Sequence, residues 1–162
     1  MEAFLKELLD FISIEFTVMF TAAMPIIEVR GAIPVGLSLG LSPLHATILS
    51  FIGSMIPVPF ILFTIRPIFN YLKKTKMFRS VVEKLTIRAI NNNGSKIQKY
   101  GAWGLLVFVA IPLPGTGVWS GSLAAALLNM RFKWAFPAIL IGNLIAAAII
   151  VTLSNGVMWI FR

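Results

Sequence analysis

Glu28 and Arg30 put an acid and a base two residues apart inside the apolar run Met24-Pro25-Ile26-Ile27-Glu28-Val29-Arg30-Gly31-Ala32-Ile33-Pro34. Arginine stays charged and presents a planar fork of donors that matches phosphate or carboxylate. A glutamate beside it, partly withdrawn from water, can exchange a proton as its surroundings change. The chemistry on offer is recognition of an anion, coupled to movement of a proton. In an extended segment the two side chains share one side, whereas on a helix they diverge by about 200°. Pro25, Gly31, Pro34 and Gly36 point to broken, extended backbone here. A pair that only fixes the fold of a turn is the alternative, and the sequence leaves both roles open.

A second broken stretch, Ile111-Pro112-Leu113-Pro114-Gly115-Thr116-Gly117-Val118-Trp119-Ser120-Gly121, lies downstream. Gly115-Thr116-Gly117 has no lysine after it and is no nucleotide loop. Its amides and the Thr116 hydroxyl can hold an anion at the start of the next helix. Glycines that merely permit a tight turn are the alternative. Gly121 to Ala126 reads as a packing face, and Ser54 and Asn143 as hydrogen-bonding glue between helices. His45, the single histidine, reads as a solvated residue near the outer interface.

The elements that must position these residues belong to a membrane. Of 162 residues 58% are apolar and 12% charged, and the mean hydropathy is +0.90. That is far from a soluble domain. An ionised side chain at mid-bilayer costs about 2.5 kcal/mol or more, so such residues usually face a cavity or partner. With no cysteine there is neither a disulfide nor a thiolate metal site. No metal or other cofactor is expected. No His/Asp pair or activated nucleophile is visible either, so an enzyme is not expected.

The net charge of +8 is local. Arg66, Lys73, Lys74, Lys76, Arg79, Lys84, Arg88, Lys96 and Lys99 face one acid, Glu83, while the remainder of the chain balances. This is the pattern of a cytoplasmic loop, residues 67–100, that attracts anionic inner-leaflet lipids. It is not that of a nucleic-acid binder. Ser80 to Ile90 has the spacing of a surface helix, and Asn91 to Ser95 that of a stop and turn. Residues 1–15 are acidic and amphipathic, lack the features of a signal peptide, and read as an interfacial helix.

Two runs of about 20 apolar residues, Ala46–Ile65 and Trp134–Leu153, are long enough to span the hydrocarbon core. Pro57 and Pro59 fall inside the first, where each removes a helical hydrogen bond and a kink is expected in its second half, and Arg66-Pro67 ends it. Pro25 matches Pro112 at an offset of 87, and Phe51-Ile52-Gly53-Ser54 matches Leu140-Ile141-Gly142-Asn143 at an offset of 89. The chain is thus one membrane domain with an internal repeat: residues 16–66 form the first, 101–162 the second, each a broken block followed by a spanning helix. The limbs of each broken block are about 15 Å of helix, half the core thickness. The expected fold is all-α, with two re-entrant hairpins inverted with respect to one another and amphipathic interfacial helices; broken blocks that cross fully, which would put Arg131 and Lys133 outside against the positive-inside trend, are the alternative. With hairpins the N-terminus and the tail from Ser154 lie outside, and 67–100, Arg131 and Lys133 inside.

The stretch Glu28 to Pro34 together with Pro112 to Gly121 resembles the two signature stretches of the small multi-drug export membrane proteins, over nearly the whole chain. That family is similar to the DedA and SNARE-associated superfamily, whose fold is two opposed re-entrant hairpins, each followed by a transmembrane helix. The resemblance implies that Glu28 and Arg30 are the charged pair of the first hairpin and that Pro112, Pro114, Gly115, Thr116 and Gly117 form the tip of the second. It implies a multi-pass protein of the inner, plasma membrane that moves a polyprenyl (undecaprenyl) phosphate by alternating access, with Glu28 carrying the proton. The alternative is a proton-coupled exporter of small drugs. The DedA pattern has an acid and a further arginine near the second hairpin, where this chain has Thr116, Ser120 and Ser122. With so little lateral surface per protomer, a homodimer is the expected assembly.

Overall fold

A computed structural model describes residues 2–74, 100–113 and 115–160, and every regular element among them is a helix. The helix and turn expected at Ser80–Ile90 and Asn91–Ser95, most of the basic segment, and Pro114 lie outside the described residues. In chain order the helices are α1 (Glu2–Ala23), α2 (Glu28–Ser38), α3 (Pro43–Met55), α4 (Pro57–Lys74), α5 (Ala102–Ala110), α6 (Val118–Leu127) and α7 (Phe132–Ile160). They form two compact units, one of residues up to Ile56 with those from Leu144 on, the other Pro57–Asn143.

In the first unit α1 packs on α2 and α3, and α2 on α3. The core is Val18, Ala22, Val29, Ala32, Ile33, Leu37, Leu41, Ala46 and Leu49, closed by Ala146 and Ala147 of α7. No break separates an interfacial helix at 1–15 from the block that follows. Nothing between Phe11 and Ala23 is proline or glycine, and the Thr17 and Thr21 hydroxyls donate back to the Ser13 and Thr17 carbonyls at 2.7 Å. α2 ends on Gly40 (φ +89), with the Leu41 N–H closing on the Gly36 carbonyl at 3.0 Å. Ser42 then caps α3, accepting the His45 N–H at 3.3 Å, and Pro43 fills the first position, where a missing N–H is harmless.

In the second unit α5 packs on α6, and α6 on α4. Gly121 lies so close to Val109 that a β-carbon there would be 2.6 Å from its Cγ2. Ser122, Ala125 and Ala126 are buried beside it, as a packing face requires. Phe132 stacks between Phe63 at 4.7 Å and Phe136 at 5.2 Å.

At an offset of 89 the two units share detail beyond the matched letters. Val29, Ala32, Ile33, Gly36 and Leu37 are the buried face of α2; Val118, Gly121, Ser122, Ala125 and Ala126 are that of α6. Asn129 stands where Gly40 does, also left-handed (φ +54), and Met130 closes on Ala125 at 2.9 Å. Ser54 and Asn143 are both buried. The Ser54 hydroxyl donates within its own helix, to Phe51.

Two stretches, Pro43–Ile65 and Phe132–Gly156, are long and apolar enough to cross a membrane, and only 33% of each window is buried. A core helix of a soluble protein would be mostly buried. Leu44, Ile48, Ile52, Ile56, Phe60 and Phe63 point outward while Ala46, Ser50, Gly53 and Ser54 are buried, so large apolar groups lie outside and small or polar ones inside. That is the pattern of a helix solvated by lipid. The first span is interrupted at Ile56, immediately before Pro57. The apolar stretch ends at Ile65, before Arg66-Pro67, while the helix itself runs on through Pro67 to Lys74.

Candidate functional site

Met24, Pro25, Ile26 and Ile27 form the turn between α1 and α2. The Met24 N–H bonds the Thr21 carbonyl at 3.2 Å, and the Glu28 N–H returns to Met24 at 3.2 Å. Ile26, at the apex, is 93% exposed. The Glu28 N–H bond closes the turn, helix resumes at once and α2 begins at Glu28. The extended geometry expected for Glu28 to Pro34 is therefore not formed, and Pro34 sits within α2.

Glu28 combines two unfavourable features. It is 4% exposed, and its φ is +51. A left-handed backbone costs a residue with a β-carbon about 1–2 kcal/mol, and burial of a carboxylate costs more unless it is matched. Both features persist only where surroundings enforce them, and they concentrate at functional positions. Arg30, half-buried in the first turn of α2, lies close enough to feel the Glu28 charge. Gly31 follows because a β-carbon there would collide with the Ile27 side chain.

The second tip is built differently. α5 ends at Ala110, and the chain runs extended through Ile111. The Thr116 hydroxyl accepts the Leu113 N–H at 3.2 Å and lies 2.7 Å from the Ile111 and 2.8 Å from the Leu113 carbonyl. It thus shapes the loop in which it sits. Gly115 (φ +83) and Gly117 (φ +133) take backbone that a β-carbon would strain, and Gly117 opens α6 without a side-chain cap. Pro112, Gly115, Thr116 and Gly117 therefore form one loop in the second unit, while Glu28 and Arg30 belong to the first.

One contact had no signal in the sequence. His45 Nε2 stands 2.7 Å from Glu15 Oε1, joining the start of α3 to α1 across thirty residues. Among the described residues no three His, Asp or Glu side chains gather as a metal site.

Among known proteins, the family described as "Putative small multi-drug export protein" matches residues 28–149, from the buried glutamate to the middle of the last helix. No curated protein and no solved structure matches the chain.

Proposed function

We propose, because the chain belongs to the small multi-drug export protein family, that it is an integral membrane transporter built from two re-entrant hairpins. The halves are inverted, each hairpin returns to the side it entered, and the spans that follow carry the chain across. Limb length supports this for three of the four limbs: α2, α5 and α6 have 11, 9 and 10 residues, while α1 has 22, of which Ile12–Ala23 is the apolar part. At 1.5 Å per residue the three reach about 14–17 Å, half of a hydrocarbon core. The recurrence of burial and capping at an offset of 89 supports a repeat, the architecture in which midplane sites form on broken helices. On this reading residues 67–100 are cytoplasmic and contact anionic lipid, the protein lies in the plasma membrane, and kinship reaches the DedA and SNARE-associated superfamily. A homodimer completes the lateral surface.

The observation that carries the reading is Glu28, buried at a positive φ beside Arg30. The substrate is an anionic amphiphile, a polyprenyl phosphate, held by the Arg30 guanidinium with Glu28 as the exchanging acid. A second reading, proton-coupled export of cationic drugs, is favoured by the family's description and needs Glu28 alone. Reconstitution into liposomes with labelled polyprenyl phosphate, and separately with a cationic dye, decides between them. Proton-gradient-sensitive movement of the phosphate that is lost in Arg30→Lys supports the first. Movement of the dye alone, kept in Arg30→Lys and lost in Glu28→Gln, supports the second.

A further inference from the structure

Both units carry the same buried faces and the same closing turns, yet they differ where the first limb of the hairpin meets the start of the span. In the first unit Glu15 of α1 and His45 of α3 meet at 2.7 Å. The equivalent positions of the second unit, at the offsets of 87 and 89, are Ala102 and Trp134, which carry no charge. We propose that Glu15 and His45 form a charge-dependent clasp that holds hairpin one against its span, a hold the second unit lacks.

The placement suits such a role. Ser42 caps α3 through the His45 N–H, so the histidine backbone is fixed and its ring reaches across to α1 from a rigid base. The His45 and Glu15 side chains are 36% and 28% exposed, whereas Glu28 is 4% exposed. Among side chains described in α1, α2, α3 and the α7 portion of this unit, the titratable or charged groups are Glu15, His45, Glu28 and Arg30. Ala23, where α1 meets the tip carrying Glu28 and Arg30, is about 12 Å along the helix from Glu15. The pair is fully ionic only while His45 is protonated. The clasp thus opposes the opening of hairpin one. That this opening is a step of transport rests on the function proposed above.

Amide hydrogen exchange of the full chain in nanodiscs tests the hold without any substrate. Glu15→Gln and His45→Gln should each speed exchange in residues 12–23 and 43–55 by about two- to five-fold, the range that a partly exposed ion pair commands. His45→Arg, permanently charged, and the exchanged pair Glu15→His with His45→Glu should stay near wild type. Exchange in 102–110 and 132–143 should not change in any of them. Unchanged exchange in both glutamine variants overturns the clasp, as does acceleration that the exchanged pair fails to reverse. In liposomes both glutamine variants should move substrate faster by the same factor; accelerated exchange with wild-type transport overturns its link to transport. A wild-type protein that moves neither phosphate nor dye fails the transporter reading, and exchange alone then decides the clasp.

Discussion

Gly53 lies against the backbone of Met19 so closely that a β-carbon on the glycine would be 2.8 Å from the Met19 α-carbon. A β-carbon on its counterpart Gly142 would be 2.7 Å from the Leu106 carbonyl oxygen. Met19 and Leu106 are 87 residues apart, as Pro25 and Pro112 are, and the glycines 89 apart. In each unit the long apolar helix and the helix that precedes the broken stretch, α1 or α5, therefore approach backbone to backbone at one equivalent point. Small residues permit such contacts where lipid gives no hydrophobic drive for helices to associate.

These contacts cannot relax by turning a side chain. Gly53→Ala and Gly142→Ala should each destabilise the protein by about 1–3 kcal/mol, as overpacking does. Gly156, with nothing within 4 Å of an added β-carbon, is the control. Gly156→Ala should be neutral or stabilising by up to about 1 kcal/mol. Unfolding in mixed detergent micelles measures all three, and equal midpoints for Gly53→Ala and Gly156→Ala would refute the close approach.

Gly40 and Asn129 hold the same left-handed position at the ends of α2 and α6. Asn129→Gly should leave stability unchanged or raise it slightly, while Gly40→Val and Asn129→Val should each cost about 1–2 kcal/mol. Thermal unfolding in detergent reads the difference.

Much of this could be read from the residues. Two spans of the right length, and a disturbance of the first near Pro57, follow from hydropathy and proline chemistry, which act locally; the structure has a full break there in place of the expected kink. The extended tip expected at Glu28 did not follow, because Pro34 sits well inside a helix whose start is fixed by the turn before it, through the Glu28 N–H and the Met24 carbonyl. Continuity of α1 through residue 15 was hidden by the switch from amphipathic to apolar residues, which changes the surroundings of a helix without breaking it. The Glu15–His45 contact was invisible because it depends on how α1 lies on α3.

Glu28 carries left-handed strain as well as a charge. Glu28→Gly and Glu28→Ala both leave Arg30 without that charge, but only glycine relieves the strain, so Glu28→Gly should be the more stable of the two by about 1–2 kcal/mol. Transport should be lost. A Glu28→Gly protein that transports normally would mean that the carboxylate has no part in the site.

Leu44 and Lys133 occupy equivalent, exposed positions at the starts of the two spans, and the chain has no cysteine to interfere. In intact cells an impermeant thiol reagent should label Leu44→Cys and spare Lys133→Cys until the membrane is opened. Labelling of both from outside would remove the inversion of the halves.

The central claim is that Glu28 and Arg30 serve transport and do more than hold the tip together. Either residue changed alone leaves a charge in an apolar setting, so single variants confound folding with function. The double variant Glu28→Gln with Arg30→Met removes both charges at similar volume, and its translocation of labelled polyprenyl phosphate should be measured in liposomes against wild type, alongside its unfolding midpoint. The account predicts a protein of wild-type stability that no longer transports. Transport at the wild-type rate by that folded double variant would contradict it.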